Sequence, residues 1–236
     1  YGNGSTTTKH TITPQWTIIN VVASRGSGLT KYIYLGTWAS QHSTNADIDI
    51  SVWGGQVEID CLYASSTIIT DGSATTREVD KCTDAGDVNL FNITEGTIYL
   101  YVNNYGQPLN AYNNITLSDN STSDFIRFQF QASTATVGTI KVTIFNGSTT
   151  FEYTIQDVTE NQKNKIAVSF NDNRFNVYFN GVLKKSQTSG YFPTGLLEFN
   201  FADEGGTSRF FEGKVYDARI YDTTLSQSEL ETLTTL

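Results

Sequence analysis

The carboxylates of Glu58-Ile59-Asp60 are the first residues in this chain whose type and spacing could do chemistry. Glu-x-Asp on a strand puts both carboxylates on one face, because side chains alternate with a period of two. Two carboxyl groups about 5 to 5.5 Å apart are what a retaining glycosidase uses as nucleophile and acid/base. Here Cys61-Leu62-Tyr63 follows, so the run lacks a further carboxylate. The competing reading is structural: Trp53 and Val57 pack a sandwich, Gly54-Gly55 permits a bulge, and Gln56 and Glu58 meet backbone or solvent. That reading makes the stretch a strand end.

Other chemistries have less material. His10 and His42 are the only imidazoles and lie in polar N-terminal stretches, which leaves little for Ser-His-Asp or Cys-His catalysis. No phosphate-loop, His-Glu-x-x-His or Gly-x-Gly-x-x-Gly motif occurs. The chain is therefore expected not to be an enzyme. Asp203 and Glu204 in FADEGG, and Asp84 and Asp87 in DAGD, set hard oxygen ligands beside glycines, which suits calcium. Their spacing matches no EF-hand, and solvated acidic turns are the simpler reading. Sugar binding needs aromatic platforms on loops above a rigid sheet. Tyr105 and Tyr112, in NNYGQPLNAYNN, and Tyr191 and Phe192, in SGYFPTG, are the candidates, although aromatics at loop bases often cap a core.

Composition limits the remaining classes. Fifteen Lys and Arg stand against 24 Asp and Glu, a net charge of −9, which opposes the tracking of a phosphate backbone. No apolar run approaches the length of a spanning helix, so no membrane insertion is expected. Cys61 and Cys82 lie outside any CxxC pattern and cannot alone hold zinc; a disulfide stays open, with two buried free thiols the favoured state. Asn-x-Ser/Thr sequons occur at Asn3, Asn92, Asn114, Asn120 and Asn146. The chain starts at Tyr1 with no visible secretory signal and reads as a piece of a longer one.

The positioning elements are strands. Tyr, Phe, Thr, Asn and Gly are abundant and Pro is rare, as in strands divided by turns. Thr13–Ala23, Lys31–Trp38 and Ala46–Ile59 read as strands, and Ile48, Ile50 and Val52 alternate with Asp47, Asp49 and Ser51 in the third. A Ser-, Thr-, Asp- and Gly-rich connector runs over 60–87, and the domain boundary is placed near Ala74, giving 1–74 and 75–236. Strands resume at Gly96–Asn104, Asp124–Ala132, Gly138–Asn146 and Thr149–Asp157, with an Asn146-Gly147 hairpin. A meander over Asn164–Ser186 turns at Asn180-Gly181, and strands at Gly195–Phe201 and Phe210–Asp222 follow. Ser226 and Glu229 then make a capping box for one short helix.

The order Asn-Lys-Ile-Ala-Val, Phe-x-Val-Tyr-x-Asn-Gly, Phe-Glu-Gly-Lys-Val-Tyr-Asp-Ala-Arg-Ile-Tyr-Asp and Leu-Ser-Gln-Ser-Glu-Leu resembles the second half of a laminin-G-like, concanavalin-A-like lectin domain, from about Thr76 to Leu236. Upstream, Trp53 to Glu58, Tyr63 to Thr70 and Thr76 to Cys82 are similar to the end of a carbohydrate-binding-module-like sandwich and connector found in bacteriophage tail and virion proteins. Gly55, Thr67 and Ile69 depart from that pattern. The resemblance implies an all-β, antiparallel concanavalin-A-like jelly-roll sandwich, preceded by a partial sandwich and ended by the helix. It implies a tail-fibre or receptor-binding component, extracellular on the virion, that contacts a host surface glycan. Other virion subunits are implied as partners, in a homo-oligomer for which a trimer is expected. The alternatives left open are a structural decoration protein without sugar binding and, less favoured, a glycan hydrolase.

Overall fold

The computed structural model describes residues 14–16, 51–55, 73, 94–104, 111–134, 137–159, 162–171 and 174–236. The chain divides into two compact units, Tyr1–Arg77 and Glu78–Leu236. In the first unit, Ser51–Gly55 belongs to no strand, and Trp53 is 75% exposed. This corrects the expectation of a strand running through it with Trp53 packing a sandwich. Gly54 has a φ of 69°, in the left-handed region, and that breaks an extended path. Pro14–Trp16, expected to open a strand, instead contains a bend, and its side chains are exposed. The placements of Glu58, Asp60, Cys61, Cys82, Asp84, Asp87, Tyr105 and both histidines lie outside the described residues.

The second unit follows the alternation written in its sequence. In order come β1 (Glu95–Asn104), β2 (Tyr112–Ser118), β3 (Asp124–Ala132), β4 (Val137–Asn146), β5 (Thr149–Thr159), β6 (Lys163–Asn171), β7 (Arg174–Phe179), β8 (Val182–Gln187), β9 (Glu198–Asn200), β10 (Gly213–Tyr221) and α1 (Gln227–Thr234). Along β3, Ile126, Phe128 and Phe130 are fully buried while Arg127, Gln129 and Gln131 point the other way. The strands form two five-stranded sheets, β10-β1-β6-β7-β8 and β5-β4-β3-β2-β9, antiparallel at each pairing. Between them lies one core that includes Ile98, Leu100, Phe128, Phe130, Phe151 and Phe175. Burying each such side chain stabilises the sandwich by roughly 1.5–3 kcal/mol. The unit is an all-β sandwich.

Turn chemistry agrees with the pattern. Asn180 and Gly181 both have positive φ, 47° and 81°, as a two-residue hairpin between β7 and β8 requires. Ser226 caps α1, with the reciprocal bonds of the capping box to Glu229 in place. Leu230 packs the helix onto Tyr99, Ala167 and Tyr178, on the outer side of the first sheet. Edge strand β8 is exposed along most of its length and carries Lys184 and Lys185, charges that discourage pairing with another strand. Among the described residues, no helix is long and apolar enough to cross a membrane.

Gly96 has a distinct role. It pairs directly with Phe170 across β1 and β6, and a Cβ there would come within 2.6 Å of the Phe170 ring. We expect Gly96→Ala to destabilise the second unit by about 1–3 kcal/mol, through displacement of that ring, as measured by denaturant unfolding. An unchanged midpoint would show that the ring can give way freely.

Candidate functional site

Successive residues in an extended segment point opposite ways, and the rim turn after β8 uses this to separate Tyr191 from Phe192. Tyr191 is 72% exposed. Phe192 turns inward and stacks on Phe170, with ring centroids 3.7 Å apart and planes 16° from parallel. Together with Ile98, Leu117, Leu196 and Ile220 it leaves a cavity of only about 10 Å³. The backbone of the turn is pinned from the opposite sheet: Thr150 Oγ1 donates to the Tyr191 carbonyl at 3.0 Å and Asn146 Nδ2 to the Phe192 carbonyl at 2.9 Å. An aromatic ring thus stands in solvent on a rigid support.

Tyr112 lies elsewhere. It opens β2 rather than sitting in a loop, which corrects the sequence expectation, and it is half-buried beneath the Arg209 guanidinium, 4.6 Å from its ring centroid. Tyr191 is linked to the other end of that sheet, so about 20 Å of strand separates the two tyrosines. They do not share a site.

Between those ends, a row of outward side chains crosses the second sheet in register: Asn200, Thr116, Arg127, Thr143 and Glu152. The turn Ala202–Arg209 folds over part of it. Thr116 Oγ1 donates to the Ala202 carbonyl at 2.9 Å, Ser118 Oγ to the Glu204 carbonyl at 2.7 Å, and Arg127 Nη1 pairs with Glu204 Oε1 at 2.7 Å. Asp203 accepts from the Thr207 and Ser208 amides at 2.8 and 3.1 Å, and from Ser208 Oγ. Asp203 and Glu204, two of the four carboxylates whose setting suits calcium, thus bond at the turn, one capping its backbone and the other balancing a partly buried guanidinium. Among the described residues, no three His, Cys, Asp or Glu side chains gather as a metal site. Under the turn, Asn114 Nδ2 and Oδ1, Asn200 Oδ1, Arg127 Nε and Thr143 Oγ1 have no hydrogen-bond partner among the described residues. Asn114, a sequon residue, is fully buried and out of reach of glycosylation in the folded unit.

A second exposed aromatic group escapes sequence reasoning. On the outer side of the first sheet, the Tyr101 and Tyr216 rings lie 4.8 Å apart. A β-bulge at Tyr216 creates this pair, because the β1–β10 register steps from Tyr101↔Asp217 to Val102↔Val215. Beside it, α1 and Tyr221 border a shallow groove of about 470 Å³.

The family comparison bears on these faces. The profile of the concanavalin A-like lectin/glucanases superfamily, a laminin G group, matches residues 76–231. The chain belongs to this superfamily. No curated protein matches it. Among solved structures, it is similar to NanB sialidase from Streptococcus pneumoniae, K499G mutant, at 13% identity and TM-score 0.51, covering 66% of this chain and 28% of that one. It is also similar to the heptameric SAP-like pentraxin of Limulus polyphemus, at 12% identity and TM-score 0.50, covering 64% and 74%. A CBM40 of the Ruminococcus gnavus IT-sialidase bound to α2,3-sialyllactose gives 14%, 0.49, 65% and 94%. The first two likenesses support the fold.

In this lectin-like sandwich the Asp203 carboxyl is set to favour its charged form. Partial burial works to raise the Asp203 pKa, but hydrogen bonds from Ser208 Oγ and the Thr207 and Ser208 amides, with Arg209 nearby, outweigh it and hold the carboxyl below its ordinary value. A depressed pKa contributes stability that is full above the unfolded value, about 3.9, and is lost as pH falls through the folded value. We expect Asp203→Asn to abolish that part of the stability loss below about pH 4 in unfolding titrations. Parallel pH profiles for the variant and the parent would contradict it.

Proposed function

We propose that the second unit is a non-enzymatic glycan-binding module of a phage tail fibre or related receptor-binding virion component, and that it recognises a glycan on the host surface. Its membership of the lectin/glucanases superfamily supports the glycan as ligand class, and the order of motifs from Trp53 to Cys82 supports the virion setting. The carrying observation is Tyr191, an exposed ring on a hydrogen-bonded turn whose next residue is anchored in the core. A sugar stacks its apolar face on such a ring, and a support that is already rigid loses little entropy on binding.

A second reading, structural decoration through contact with other virion subunits, draws on the β8 edge, where Val182 and Leu183 are 53% and 40% exposed. For a fibre, we propose three copies per assembly. The deciding experiment is a glycan-array and host-cell binding assay, with and without calcium, including product analysis. We expect Tyr191→Ala to weaken glycan binding at least tenfold, about 1.4 kcal/mol, with an unchanged melting temperature. Phe192→Ala should instead lower stability by about 3 kcal/mol. Failure to bind any glycan or cell would favour the decoration reading, and released oligosaccharide would refute the non-enzymatic one.

A further inference from the structure

The outer side of the first sheet concentrates cations on a chain of net charge −9. Three lysines from two strands surround the paired tyrosines. Lys163 and Lys214 place their Nζ atoms 4.8 and 5.0 Å from the Tyr216 ring centroid, one from each of the strands that flank β1, and Lys165 lies 5.2 Å from that of Tyr101. Lys165 also donates to the Thr235 carbonyl at 2.6 Å. The one carboxylate in this part of the ladder, Asp217, is held by Arg219 at 2.6 Å. Among the described residues, no carboxylate lies within ion-pair distance of Lys163 or Lys214. Both lysines are exposed, and Tyr216 is 37% exposed. Unneutralised like charges repel one another, so their concentration around two adjacent, mutually tilted rings favours an anionic ligand with an apolar face.

We propose that this face docks an acidic polysaccharide: Tyr101 and Tyr216 stack the sugar ring while Lys163, Lys165 and Lys214 bind its carboxylates or sulfates. A pyranose bearing a charged substituent has both features within one residue. A long phosphate backbone does not suit a small basic patch on an otherwise acidic chain. The face is separate from the Tyr191 rim, and the two can fail independently.

The test uses affinity electrophoresis of the full chain in polygalacturonate, with neutral dextran and duplex DNA as comparison matrices. We expect retention in polygalacturonate but not in dextran, falling steeply between 50 and 300 mM salt as exposed charge contacts are screened. Lys163→Gln with Lys214→Gln should lower the affinity at least tenfold without changing the melting temperature, and Tyr216→Ala should do the same. Tyr191→Ala should leave it unchanged. Equal retention of the double lysine variant overturns the proposal even where Tyr216→Ala fails to fold. So does a loss confined to Tyr191→Ala, which would assign the acidic sugar to the rim. Equally strong, lysine-dependent retention in DNA would also overturn it, in favour of indiscriminate anion binding.

Discussion

The ring of Phe170 has Gly96 on one side and Phe192 on the other, and much of the molecule's usable surface depends on that arrangement. Glycine lets the ring lie close to the β1 backbone. The ring so placed stacks on Phe192, and the stack draws the chain after β8 back over the core. Hydrogen bonds from Thr150 and Asn146 then connect that turn to the second sheet. Tyr191 is presented to solvent because its neighbour is held, so the rim's stiffness derives from the interior rather than from the loop's own residues.

The two outer sheet faces deal with polarity differently. On the second sheet, the turn Ala202–Arg209 returns over the strands, and Glu204 meets Arg127 in a partly buried pair. Taking two charges from water is expensive, and close contact offsets that penalty only while both partners remain. This face is consequently committed to holding its turn in place. The first sheet's outer face is covered by α1 on one side only, through Leu230. Its remaining cations lie over aromatic rings, an arrangement that keeps their apolar stems packed and their charged ends in water.

Much of this fold was legible because strand alternation is a local property. β3, β6, β7 and β10, the Asn180-Gly181 hairpin and the capping box at Ser226 are each visible within about ten residues of sequence. β2 was missed altogether, because its opening Tyr112-Asn113-Asn114 lacks the β-branched residues that mark a strand and the segment is held by its neighbours in the sheet. Ser51–Gly55 shows the reverse case, an alternating pattern interrupted by one glycine with positive φ. At the sites, sequence could name Tyr191 and Phe192 as a pair but could not tell which faced outward. Sequence could set Asp203 and Glu204 beside glycines but not show their donors, Ser208 and Arg127, which become visible only when the turn closes. Tyr101 and Tyr216 are far apart along the chain, and their contact depends on a register step that no local pattern records.

That register step changes how such a surface could arise. One extra residue in β10 leaves Val215 packed inward and Asp217 opposite Tyr101, so the interior is unaltered while an additional aromatic ring is set beside the first. A binding face made in this way needs no remodelled core and no lengthened loop. A single residue at the margin of the sheet sets the second ring on that face, while Val215 beside it keeps its place in the core.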